Sequence, residues 1–340
     1  MRQSIIGGPS GPTSRSYGTA AVAAVASVML TLVGIRAASA ASCSATISSC
    51  GCAISSAAVF TTSGPLVSAS SSVDCIDISA SGAVLIVAGD ITGPGGGVTA
   101  DGIHIMSGVS NVFIAGKTTP GFSTTHAKVT GFATGLQIDG PNAEINVLDA
   151  NVNVNNGVVF NNVTGGDWND SAASSNAGGD GVLISGGSGN VVGDGGPMDM
   201  NGKNGIEISS SANNRILDSG ADHNSVYGIW FGQSSGNEIN GTATNSNATG
   251  TYIGCSATGG PTGKKCPGGK NSQFNSMTNS GGNTNSDAGV AIDSGASGNV
   301  VDESGGSSNT ADDAVDKNKK CDHNVWIENS FTKVSQSCIH

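Results

Sequence analysis

Apolar residues along most of the chain fall into a four-residue phrase of Gly, apolar, variable, apolar. It stands at Gly102-Ile103-His104-Ile105, Gly135-Leu136-Gln137-Ile138, Gly157-Val158-Val159-Phe160, Gly181-Val182-Leu183-Ile184, Gly205-Ile206-Glu207-Ile208, Gly228-Ile229-Trp230-Phe231, Gly250-Thr251-Tyr252-Ile253 and Gly289-Val290-Ala291-Ile292. From Gly135 to Gly250 the steps are 22, 24, 24, 23 and 22 residues, and the longer step to Gly289 reads as an insertion on a regular coil. Two variants without the Gly extend the series, Cys75-Ile76-Asp77-Ile78 before it and Asn324-Val325-Trp326-Ile327 after it. A second signal, Asn followed closely by an apolar residue, keeps step about nine positions after the Gly at Asn111, Asn190, Asn214 and Asn237.

A fixed period of this size marks a solenoid, in which each repeat buries its apolar face only by stacking on its neighbours. The phrases are too short and too β-branched for helices, and Gly and Asn punctuate them as turn residues do. About three short strands per coil fit an all-β, right-handed parallel β-helix. Ten coils at the inter-strand spacing make a rod on the order of 45 Å long. Gly205 to Ile216 and Gly228 to Ile239, with Gly-Ile-x-x followed by Ser-x-x-Asn-x-Ile, resemble the repeat of the pectate-lyase-like superfamily. The resemblance covers residues 75 to 330. It implies the fold without choosing among lyases, hydrolases, uronate epimerases, copper-delivery proteins and non-catalytic surface proteins. Catalytic signatures of that superfamily do not carry over: Asp312-Asp313 lacks a Gly-His-Gly partner and reads as part of a polar tail, and Arg-x-Pro-x-x-Arg and Asp-Pro-His are absent.

Side chains two apart on a strand share a face. With the flanking apolar residues inward, the middle residues Asp77, His104, Gln137, Val159, Leu183, Glu207, Trp230, Tyr252, Ala291 and Trp326 point outward, and a parallel column holds Asp139, Asn161, Asp293 and Glu328. Two clusters emerge. Asp77, His104, Gln137 and Asp139 put carboxylates beside an imidazole on successive coils, a general acid/base arrangement; a solvated polar column has the same pattern. Glu207, Trp230 and Tyr252 stack a carboxylate with two aromatics, which suits a sugar ring; aromatics supporting one another on a β face do so too. The catalytic candidates are therefore Asp77, His104, Asp139 and Glu207, and the substrate-binding candidates Gln137, Trp230 and Tyr252. Asp222-His223-Asn224 and Asp322-His323-Asn324 read as a shared turn. Five His do not make a copper site, and no cofactor or metal is required by the pattern.

Composition agrees with a repeat fold: 53 Gly, 11% charged and 4% aromatic residues in 340. Residues 1–40 read as a signal peptide, with Arg2 and Arg15 ahead of the apolar run Thr19 to Ile35 and Ala38-Ser39-Ala40 at the cleavage site. The expected organisation beyond it is a Cys-rich cap at 41–74, a β-helix at 75–331 with a loop at 254–270, and a tail at 332–340. Eight cysteines in an exported chain predict disulfides: Cys255 with Cys266, Cys321 with Cys338, and two among Cys43, Cys50, Cys52 and Cys75, whose three connectivities stay open. Without residues 1–40 the chain has 11 basic against 25 acidic residues, a surface that repels nucleic acid and disfavours polyanionic glycans. The expectation is a secreted or periplasmic monomer, free of the membrane after cleavage, that binds or processes a polysaccharide or cell-surface glycan. The alternative is a non-catalytic structural or adhesion protein.

Overall fold

The computed structural model describes residues 41–116, 126–255 and 272–340. The proposed signal segment, Cys266 and most of the 254–270 loop lie outside these residues. Those described form a parallel β-helix, so the all-β right-handed solenoid expected from the phrases stands. Among them no helix is long and apolar enough to cross a membrane.

Two 12-stranded parallel sheets run the length of the stack, with a four-stranded third sheet beside its N-terminal half. The repeated phrases are the strands of the first sheet. Its register passes from Asp77 to His104, Gln137, Val159, Leu183, Glu207, Trp230, Tyr252 and Ala291 without a slip. The core inside the coil is built from the flanking residues, among them Ile76, Ile103, Leu136, Val158, Ile206 and Ile229, all inaccessible to solvent or nearly so.

The column ends differently from the sequence expectation. After Ala291 comes Val315, on the strand Asp312–Asp316, so the supposed polar tail is the last strand of the first sheet. Asp313 is buried and accepts hydrogen bonds from the Asn309 side chain (2.8 Å) and the Lys333 amide (2.8 Å). Val325–Ile327 belongs instead to the second sheet, paired with Val300–Asp302. Its face is inverted: Trp326 is 3% exposed inside the core, while Val325 is 45% exposed. Glu328, placed in the outward column, leaves it for the same reason. The segment 41–74 is also part of the stack, because Ala41–Ser42 and Cys52–Ile54 are the first strands of the first sheet. Disulfides Cys43–Cys52 and Cys50–Cys75 tie these coils together, and Cys321–Cys338 ties the C-terminal end.

Inside the coil two ladders of buried asparagine replace apolar packing at the turns. In one, the backbone N–H of Asn190, Asn214, Asn237, Asn275 and Asn299 each donates to the Oδ1 of the next, ending on Asn324. The other runs through Asn153, Asn176, Asn201, Asn224, Asn247, Asn285 and Asn309 in the same way. Each ladder finishes on a carboxylate of the last first-sheet strand: Asn309 donates to Asp313 and Asn324 to Asp316 (3.1 Å). The phrase glycine is tied to the second ladder. A Cβ on Gly205 would sit 2.7 Å from the Gly228 carbonyl oxygen and 2.8 Å from Asn224 Nδ2, so the phrase glycine is required by the close approach of the next coil and of the second ladder.

Candidate functional site

At the N-terminal end of the first sheet the outward residues meet as the phase predicts. His104 faces Asp77 on the preceding strand and Gln137 on the next. Its Nε2 lies 2.9 Å from Asp139 Oδ2, and its Nδ1 3.3 Å from Asp74 Oδ2 and 4.0 Å from Asp77 Oδ1. Asp139 is further held by Gln137 Nε2 (2.7 Å) and Asn161 Nδ2 (2.9 Å), both donating to Oδ1. The Asp101 backbone N–H donates to Asp74 Oδ1 at 2.7 Å. The structure thus gathers Asp77, His104, Gln137 and Asp139, and adds Asp74 and Asp101.

These two were missed although the repeat contains them. Each stands immediately before its phrase, three positions ahead of the middle residue. That position forms a column of its own: Asp74, Asp101, Thr134, Asn156, Asp180, Asn204 and Tyr227. Their side chains link coil to coil, as when Asn156 Oδ1 accepts from the Asp180 N–H and Asp180 Oδ1 from the Asn204 N–H.

The cluster separates the proton affinities of its members. The hydrogen bond to Asp74 does most to raise the His104 pKa, to about 9; burial opposes it, while the Asp139 hydrogen bond and the two carboxylate charges add to it. Burial works against the Asp74 and Asp139 carboxylates as well, but their hydrogen bonds, with that from His104 the largest, hold both below the usual carboxylate range. Asp101 goes the other way: burial, then the negative charge of Asp74, push it up to about 6. An imidazolium with both nitrogens engaged has no lone pair to accept a proton. The groups of this cluster able to exchange a proton are therefore its carboxyls, of which His104 holds Asp74 and Asp139 in place. One oxygen each of Asp74 and Asp77 and one His104 nitrogen also lie within 4.8 Å of one another, close enough to share a cation.

The second predicted cluster is assembled but closed. Trp230 is 6% exposed and Tyr252 fully buried. The Tyr252 ring stacks on Tyr227 at 4.7 Å, its hydroxyl donates to Asp293 at 2.7 Å, and Trp230 Nε1 donates to the Gly254 carbonyl at 2.9 Å. They make an apolar cluster with Ala288, Ala291 and Val315 on the outer face of the sheet. Pointing away from the coil interior did not mean facing water, so neither ring offers a sugar its face in this conformation. Glu207 is buried too, ion-paired with Lys203, which also reaches Asp180 (3.4 Å) and sits 5.7 Å from the Trp230 ring centre. Burial and then the Glu207 charge push Asp180 up to about 7; Asn204 Nδ2 bridges the two carboxylates at 2.8 and 3.1 Å. Its position and partners describe an inter-coil tie rather than a second open site.

Fold and cluster together define a class: a parallel β-helix bearing a carboxylate-bound imidazolium on the outer face of its first sheet. Solved structures of the same fold include pectate lyase Pel9A, which is 15% identical over 77% of this chain and 70% of its own, with a TM-score of 0.56. The Dettilon tailspike protein is 14% identical over 83% of this chain and 60% of its own, with a TM-score of 0.54. The A-module of an Azotobacter vinelandii mannuronan C-5 epimerase is 13% identical over 87% and 90%, at a TM-score of 0.46. At such identities the likeness to the first two is one of fold. No protein-family model matches the chain, and no curated protein sequence does.

Proposed function

We propose that the protein is a secreted glycan-processing β-helix that hydrolyses a neutral polysaccharide along the outer face of its first sheet. The observation that carries this reading is the divergence of carboxyls around one imidazolium: Asp101 is raised to about 6 while Asp139 and Asp74 are held low. Environments that push two carboxyl groups apart assign the acid and the base. In a mildly acidic medium Asp101 stays protonated and donates to the leaving glycosidic oxygen. Asp139, ionised, takes up the opposite role, as base for water or as nucleophile. His104 positions Asp139 through its Nε2 and stays charged. Gln137, Asn161 and Asp77, on adjacent rungs, supply donors and acceptors for sugar hydroxyls. Three carboxylates, Asp74, Asp77 and Asp139, against one imidazolium disfavour an acidic glycan. The pectate lyase of the same fold adds the precedent of a β-helix face that handles a polysaccharide, a fold-level analogy.

A second reading is favoured by the completeness of the His104 contacts: with both nitrogens satisfied by the protein, the cluster would serve as a clamp between coils on a non-catalytic adhesive face. Incubating the secreted protein with neutral and acidic polysaccharides separates the two. The first reading expects new reducing ends from a neutral glycan and no unsaturated product. Asp101→Asn and Asp139→Asn should each lower kcat by about 100-fold or more, and activity should fall as pH rises through about 6. Turnover unchanged in both variants sinks the assignment, and glycan binding without any turnover hands the face to the adhesive reading.

A further inference from the structure

A second histidine, absent from the sequence-based candidates, lies on the side of the coil that carries the third sheet. There a groove of about 520 Å³ is lined by His126, Lys128, Asp149, Asp170, Pro197 and Met200. His126 Nδ1 lies 2.8 Å from Asp149 Oδ1, and its Nε2 4.0 Å from Asp170 Oδ1. The Asp149 oxygen also accepts the Ala172 N–H at 3.0 Å, which fixes the carboxylate. In the neutral ring Nδ1–H donates to Asp149, and Nε2 keeps its lone pair towards Asp170. The two atoms stand at a separation that one ligand hydroxyl bridges, donating to one and lying within reach of the other. His104, by contrast, has both nitrogens bonded to carboxylates.

We propose that this groove is a separate binding site for an oligosaccharide without acidic groups, read by the His126–Asp149 pair and Asp170. Its lining matches such a ligand in three respects. Pro197 and Met200, both exposed, offer apolar surface for C–H faces of sugar rings. Hydroxyl partners come from Nε2, from Asp170, which is 57% exposed, and from the Asn151 amide. Three carboxylates, Asp149, Asp170 and Asp199, outweigh the single cation Lys128, so a uronate or sulfated chain is repelled. Lys128 pairs with Asp149 in register, and the backbone continues through Ala172 to Pro197 on the following coils. Four coils at the strand spacing extend about 14 Å along the axis, which suits several linked units rather than one. The assignment rests on the groove alone and is independent of the reading at His104.

The test follows the imidazole resonances of isotope-labelled protein during titration with cellohexaose, a chitosan hexamer and hexagalacturonate. The expected result is movement of the His126 signals with the neutral or the cationic hexamer, in the His104→Gln variant as in wild type. Affinity should fall at least tenfold in His126→Ala and in Asp170→Gly; the latter removes an exposed side chain at a left-handed position (φ 43°) that glycine adopts without strain, and so reports on binding even where the former disturbs folding. The proposal is overturned by unmoved His126 signals with both non-acidic hexamers, by equal or tighter binding of hexagalacturonate, or by an affinity that survives both substitutions.

Discussion

His104 keeps its proton well above the pH at which an ordinary imidazole loses it, and that ties stability to pH. With the folded value near 9 and the unfolded one at 6.5, the folded chain holds a proton between those limits that the unfolded chain has released. The stabilisation is therefore complete below about pH 6.5 and is lost as pH rises through about 9. Urea midpoints measured from pH 6 to 9.5 should decline for the wild type more steeply than for His104→Gln; equal slopes would remove His104 from the account. Buried asparagine makes a comparable residue-level case. Asn237 Oδ1 accepts both the backbone N–H of Asn214 (2.9 Å) and its side-chain Nδ2 (2.8 Å). Asn237→Ala strands both donors in a dry interior, at about 1–3 kcal/mol each, so a loss of roughly 2–5 kcal/mol is expected in denaturant titration, and a loss below about 1 kcal/mol would mean that water replaces the amide.

At the level of the strand, burial of alternate residues decides which face is which. Trp326 fills the core from the second sheet while its neighbour Val325 faces solvent. Trp326→Ala should cost about 3–5 kcal/mol and Val325→Ala under about 1 kcal/mol; the reverse order would restore the first-sheet assignment. The misplacement has a physical origin. Strands of both sheets carry apolar residues at the same two-residue period, so Asn-Val-Trp-Ile fits the phrase when judged alone. Only its place in the coil shows that Trp is the inward residue. The Gly phrases were free of this ambiguity, because their recurrent leading glycine marks the strands of the first sheet. The meeting of His104 with Asp77 and Asp139 was legible for that reason. Asp74 and Asp101 stood in phase one step ahead of the phrase and were readable in principle. Closure over Trp230 and Tyr252 was not, since side-chain alternation gives direction and carries no information on what packs against the outer face. His126 escaped because it precedes a strand of the short third sheet, which has no glycine phrase to set its register.

The described residues form a stack in which each coil touches only its neighbours, so resistance to opening depends on position along the axis. The end coils, with one neighbour each, depend on the disulfides Cys43–Cys52, Cys50–Cys75 and Cys321–Cys338. Reduction should speed amide exchange first in the strands Cys52–Ile54 and Val325–Ile327 and last in those from Val158 to Ile253; a uniform rise would show one cooperative unit instead. A stack of identical rungs has in principle no reason to stop, since the top of one rung suits the bottom of another. Here the two internal amide chains run into Asp313 and Asp316, groups that accept hydrogen bonds but, unlike asparagine, hand none onward when ionised. They act as chain terminators in a molecular polymer. The end of the stack is thus written in two carboxylates, and replacing both with asparagine would leave an end ready to be read as one more beginning.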